Sequence, residues 1–137
     1  MTDAQQVTEQ QIAALVRRFY DKARQDDSLG PLFAKVVHDW EDHFLTVQDF
    51  WSHLLLGTDR YKGMPFGVHT HLPIELDHFD RWLALFTETA REELPAQAAE
   101  LAIGRANHMT KAFRTGLFPW TDADGKPARF AHRAEQN

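Results

Sequence analysis

The sequence predicts an all-α fold, with four main helices joined by short extra turns. Apolar residues recur at helical intervals in four separate segments. Val, Ile and Thr dominate no stretch as they would in strands. Gly30, Pro31, Gly57, Pro95 and Gly116 fall at the borders of the periodic segments, where such residues stop or start helices. A chain of 137 residues has room for one domain with one hydrophobic core. The expectation is a single domain over 1–137, with its core at about 8–117 and a loosely ordered tail at 118–137.

The first helix is read from TEQQIAALVRRFYDKARQD. Thr8 and Gln11 stand at the spacing of a capping box, and Ile12, Leu15, Val16, Phe19 and Ala23 form the apolar stripe. Tyr20 sits beside that stripe, so its ring can enter the core while its hydroxyl needs a partner. In SLGPLF, Gly30 is expected to end one element and Pro31 to start the next, a helical turn from Phe33 to Val37.

The second long helix, DWEDHFLTVQDFWSHLLLG, is expected to be capped by Asp39 and stopped at Gly57. Its stripe runs through Trp40, Phe44, Val47, Trp51, Leu54 and Leu55, and the spacing of His43 turns it inward. Periodicity fails from Thr58 to Leu76, a connection of a length that is uncommon in compact domains unless it serves a function. LDHFDRWLALFTETAREEL then restores a helix through Phe79, Trp82, Leu83, Phe86 and Ala90. Pro95 divides it from a last helix whose Ala99, Ala102, Ala106, Met109 and Phe113 face one way, with Gly116 expected to close it.

Composition removes several functional classes. A formal charge of -5 disfavours nucleic acid and anionic membranes as main partners. The absence of cysteine rules out disulfides, thiolate chemistry and sulfur-based zinc sites. MTDAQQVTEQQ shows no basic region followed by an apolar run, and no stretch approaches the ~20 apolar residues of a membrane span, which together imply a cytoplasmic protein. Ser28 and Ser52 lack the glycine-flanked elbow of a nucleophilic serine, and no glycine-rich phosphate loop precedes a helix.

The histidines are more informative. HTHLPIELDHF places His69, His71 and His78 around a proline turn. Imidazole serves both as a metal ligand and as a proton carrier near neutral pH, so the cluster allows metal ligation, proton transfer, or neither. His69 and His71 form a weak HxH pair without an HExxH motif, and Glu75 and Asp77 suit a helix start as well as they suit a metal.

Tyr20 and His43 raise a second question, because an unpaired buried hydroxyl or imidazole costs about 1 to 3 kcal/mol. Either they bond to each other or to backbone, or they face a cavity whose contents complete them. Trp82, whose indole N–H also needs an acceptor when buried, poses the same alternative of donor or core filler. An interior lined by Phe19, Phe33, Val47, Phe86 and these three polar groups suits a large flat apolar ligand with a reactive centre, which favours haem over a bare metal ion. The alternative is a haem-free helical metal-binding or protein-interaction domain.

Five motifs in order, FYDKARQDDSLGPLF, WEDHF, FWSHLLLG, YKGMPFGVHTHLPI and FDRWLALF, resemble the truncated haemoglobins, most closely their third group, over roughly Ile12 to Phe113. The glycine-pair motifs of the first two groups are absent. The resemblance implies a shortened globin, a two-over-two helical sandwich holding haem b. It implies His69, three residues before Leu-Pro, as the ligand to the iron, with His71 a solvent-facing neighbour and His78 an early residue of the next helix. It places Tyr20, His43 and Trp82 on the opposite, ligand-stabilising side. Phe33, Val47, Tyr61 and Phe86 are expected against the cofactor, Tyr61 as a propionate partner helped by Arg60 and Lys62. Gly67 and Val68 stand where relatives often carry basic residues.

The functions implied are binding of oxygen and other diatomic ligands, with redox activity toward oxygen, nitric oxide or peroxide. Nitric oxide dioxygenation, peroxidase-like reduction and nitrite reduction are the enzymatic versions, and oxygen transport is the carrier version. The chain shows no fused reductase domain, so sustained turnover is expected to draw on a separate electron-donor reductase.

Overall fold

In the computed structural model, residues 6–62, 74–117, 120–121 and 127–128 are described. Five helices are found among them: α1 (Glu9–Gln25), α2 (Leu29–Val36), α3 (Trp40–Leu56), α4 (Leu76–Glu93) and α5 (Ala96–Leu117). A two-residue antiparallel pair follows, β1 (Trp120–Thr121) against β2 (Pro127–Ala128). The tail expected to be loosely ordered therefore contains a short ladder.

Capping chemistry sets the long helices much as the sequence predicts. Gln11 N–H donates to Thr8 Oγ1 at 3.1 Å while Thr8 N–H donates to Gln11 Oε1 at 2.9 Å, so the box at the head of α1 is complete. Asp39 caps α3 by accepting from Asp42 N–H at 3.1 Å. Gly57 ends that helix at φ 76°, a left-handed conformation that residues with a Cβ rarely adopt.

The α1–α2 corner departs from the expectation. Helix α2 begins at Leu29, so Gly30 lies inside it and Pro31 is its third residue. The capping group stands further upstream: the Asp26 carboxylate accepts from Ser28 N–H at 3.0 Å and Leu29 N–H at 2.9 Å. Arg81 of α4 reaches the same carboxylate, with Nε at 3.1 Å and a second, close contact from Nη2. Gly30 has a packing role, because a Cβ there would lie 2.7 Å from the Arg24 carbonyl oxygen. Gly116 likewise does not end α5, which continues to Leu117.

The main helices form a two-over-two sandwich. Helix α1 packs on α2, α3 and α4, and α4 packs along α5. Ala98, Ala99, Ala102 and Ala106 of α5 and Ala90 of α4 are all buried, and small side chains let the two axes approach closely. Ile12, Leu15, Val16, Phe19, Trp51 and Phe86 fill the main core. Each such aliphatic or phenyl side chain contributes about 1.5 to 3 kcal/mol on full burial. Lys22, only 17% exposed, ties α1 to α4 through Glu88 at 2.6 Å and Glu92 at 2.8 Å. No helix among the described residues is long and apolar enough to cross a membrane.

Candidate functional site

Between α1, α2, α3, α4 and α5 lies a cavity of about 430 Å³, within the range of small-molecule and cofactor sites. Phe33, Val47, Phe50, Ile74, Phe79, Met109 and Phe113 supply much of its apolar wall, and Tyr20, His43 and Trp82 reach the same space. His38, Asp39, Asp42 and Thr46, from the α2–α3 corner and the first turns of α3, add polar lining.

The question posed by two polar groups on apolar stripes is resolved both ways at once. Tyr20 Oη and His43 Nε2 are 2.9 Å apart, and both residues line the cavity. Burial keeps Tyr20 protonated by pushing its phenol well above its ordinary value. The ring is held edge-on by Phe19 at 5.0 Å, Phe33 at 5.3 Å and Trp40 at 5.5 Å. Trp40 is half-buried against the main core, with the Arg24 guanidinium 4.3 Å above its ring.

Trp82 is half-buried and stacks on Phe86 with ring centroids 5.1 Å apart and an interplanar angle of 2°. Phe86 in turn stacks on Trp51 at 4.7 Å. Neither Phe86 nor Phe19 is among the described lining residues; both stand one layer back and support the wall rather than form it. Helical periodicity separates the inner face from the outer one, but it does not tell a cavity wall from the layer behind.

Tyr61 lines the cavity and packs edge-to-face on Phe50 at 5.2 Å, and burial raises its phenol as well. Arg60, expected as an electrostatic helper there, is engaged elsewhere. Its Nη2 lies 2.8 Å from Glu9 and its Nε 2.9 Å from Asp49. The fully buried Ser52 bonds to Glu9 and stands 2.9 Å from Thr58 Oγ1. Bonds from Arg60, Ser52 and Gln48 hold the Glu9 carboxyl below its ordinary value. The network fixes residues 58–60 to α1 and α3. His69 and His71 lie outside the described residues, as do Gly67 and Val68.

Sequence reasoning did not single out Phe50 or His78 as wall residues, although both line the cavity. Met109 and Phe113 were legible as the inward stripe of the last helix. A bare metal ion lacks a donor set among the described residues, where no three His, Asp or Glu side chains group to hold one. The apolar wall with clustered phenol, imidazole and indole instead fits a flat macrocycle whose faces need hydrocarbon contact and whose centre needs polar company.

Fold and cavity together define a small helical protein built around a large apolar ligand, and the comparisons with known proteins specify which. Residues 7–115 match the bacterial-like globins, so the chain belongs to that family. It is 29% identical over 119 residues to the group 3 truncated hemoglobin ctb of Campylobacter jejuni, covering 83% of this chain and 94% of the relative. The crystal structure of the group III truncated hemoglobin from the same organism superposes with a TM-score of 0.73 at 32% identity, covering 77% of this chain and 87% of that one. A truncated hemoglobin from Tetrahymena pyriformis shares the fold, with a TM-score of 0.61 at 23% identity over 79% of this chain and 97% of its own. The resemblance read from the five motifs is thereby borne out, and the haem-free alternative has no support. Globins bind haem, and with it diatomic ligands such as oxygen.

Proposed function

We propose that the cavity holds haem b, with His69 as the iron's protein ligand, and that Tyr20, His43 and Trp82 stabilise a diatomic ligand on the other side. When bound, the haem supplies an iron with a coordination position open to oxygen and similar small molecules. The observation that carries this reading is the Tyr20–His43 pair on the cavity wall.

The chain's own contribution is a set of polar groups on a mostly apolar wall. If His43 carries its proton on Nε2, that N–H donates to Tyr20 Oη and leaves the phenol hydrogen to point at a cavity ligand. With the other tautomer Tyr20 donates to His43 instead, and the hydroxyl gives the ligand nothing. His43 therefore positions the Tyr20 hydroxyl through its tautomer. Trp82 adds an indole N–H on a ring fixed by its stack on Phe86. Donors aimed at developing negative charge in such a site are worth more than in water. Phe33, Val47 and Tyr61 contact the macrocycle, and Phe86 backs the wall.

Strong polar stabilisation slows ligand release, which favours redox chemistry toward oxygen, nitric oxide or peroxide over oxygen transport. Electrons come from a separate reductase, and residues 1–137 act as one cytoplasmic domain. The test is titration of the haem-free protein with ferric haem. A Soret band that saturates at one equivalent supports the reading, and binding that is neither saturable nor stoichiometric contradicts it.

A further inference from the structure

The described wall of the cavity carries two carboxylates, Asp39 and Asp42, and no lysine or arginine. A macrocycle that bears carboxylates on its rim must find donors for them there, because an unpaired anion at a half-closed site is costly. Arg60 is already held by Glu9 and Asp49. Several other polar wall groups are also committed. Thr46 Oγ1 donates to the Asp42 carbonyl at 3.1 Å and Thr110 Oγ1 to the Asn107 carbonyl at 3.1 Å. Tyr20 and His43 bond to each other. His38 precedes the two carboxylates on the same corner of the chain, where a rim anion would be repelled.

Tyr61, Trp82 and His78 remain among the described wall residues, and of these His78 has its ring held by a backbone bond. Its Nδ1 accepts the Glu75 backbone N–H at 2.8 Å, which fixes the ring and leaves Nε2 to carry the proton of the neutral imidazole. The ring is half-buried and lines the cavity. We infer that His78 Nε2–H is a hydrogen-bond donor to a carboxylate on the rim of the bound macrocycle, an inference that rests on the haem reading. The hydrogen bond at the start of α4 thus has two roles: it caps the helix, and it sets which edge of the imidazole the ligand meets.

The two roles separate chemically. In His78→Asn the side-chain oxygen can still accept from Glu75 N–H but no donor reaches the cavity, whereas in His78→Gln the amide N–H reaches as far as Nε2. Binding of ferric haem and of its dimethyl ester, which has no rim carboxylate charge, is measured for each protein by transfer to a competing apoglobin. The ratio of the two affinities cancels any general loss of stability. Esterification is expected to weaken wild-type binding roughly tenfold. His78→Asn should lose most of that difference by binding haem more weakly while holding the ester as before, and His78→Gln should recover part of it. Equal losses for haem and ester, or no change in either, would overturn the assignment. Failure of the wild-type protein to bind either porphyrin would instead overturn the haem reading on which it rests.

Discussion

Tyr20 Oη and His43 Nε2 meet at 2.9 Å on the wall of the cavity, so the two polar groups that α1 and α3 turn inward answer one another. Nothing in the local sequence around either residue shows this, because they are 23 positions apart and meet only when the helices cross. The contact gives each of two inward polar groups the partner that burial would otherwise deny it.

Tyr20→Phe keeps the ring and its edge contacts and removes only the hydroxyl. A charge-assisted bond contributes about 1.5 to 3 kcal/mol, so oxygen release should speed up roughly tenfold to a hundredfold. Stopped-flow displacement of oxygen by carbon monoxide measures it. An unchanged rate would remove the hydroxyl from the account.

Trp82→Phe tests whether the indole is a donor or a filler. The substituted ring can keep the stack on Phe86 and loses the N–H, so the melting temperature should change little while oxygen release speeds up about tenfold. A lowered melting temperature with an unaltered release rate would make Trp82 a packing residue.

Gly30→Ala inverts the usual helix rule. Ala in a helix interior ordinarily gains roughly 0.5 to 1 kcal/mol over Gly. Here its Cβ would lie 2.7 Å from the Arg24 carbonyl oxygen, a backbone atom that cannot swing away. Overpacking of this kind costs about 1 to 3 kcal/mol, to be read as a lowered midpoint in urea unfolding. A raised midpoint would show that the α1–α2 corner relaxes freely.

Asp26 should shape the acid limb of stability. The Arg81 guanidinium, with the Ser28 and Leu29 N–H groups, holds its carboxyl below the ordinary carboxylate range. A depressed native value means that the stabilisation is fully present above the unfolded value of about 4 and is lost as pH falls through the native one. The gap in urea midpoint between wild type and Asp26→Asn should therefore be widest near neutrality and close toward acid. A gap independent of pH would assign the residue a role without charge.

The same corner shows where the sequence was legible and where it was not. Thr8, Gln11, Asp39 and Gly57 act within one turn of their own helix, so residue type and spacing were enough to place the ends of α1 and α3. The start of α2 depends on Asp26, which reads as the tail of the previous helix, and on Arg81 far along the chain, so Gly30 and Pro31 were taken for the border. Arg60 went astray for a similar reason: its neighbours in sequence point to the cavity, while its ion pairs lie with Glu9 and Asp49. Five ordered motifs identified the family because they sample the whole fold. The depth of Phe86 depends on packing between helices, which periodicity along one helix does not encode, whereas the His78 ring is held locally by the Glu75 backbone N–H at the head of its own helix.

If His69 holds the haem as proposed, the absorption spectrum of the haem-loaded His69→Gly protein will report its loss. The Soret band should be altered or lost in the variant and restored by added imidazole, which would stand in for the missing ring. A variant spectrum identical to that of the wild type, and indifferent to imidazole, would contradict that role for His69.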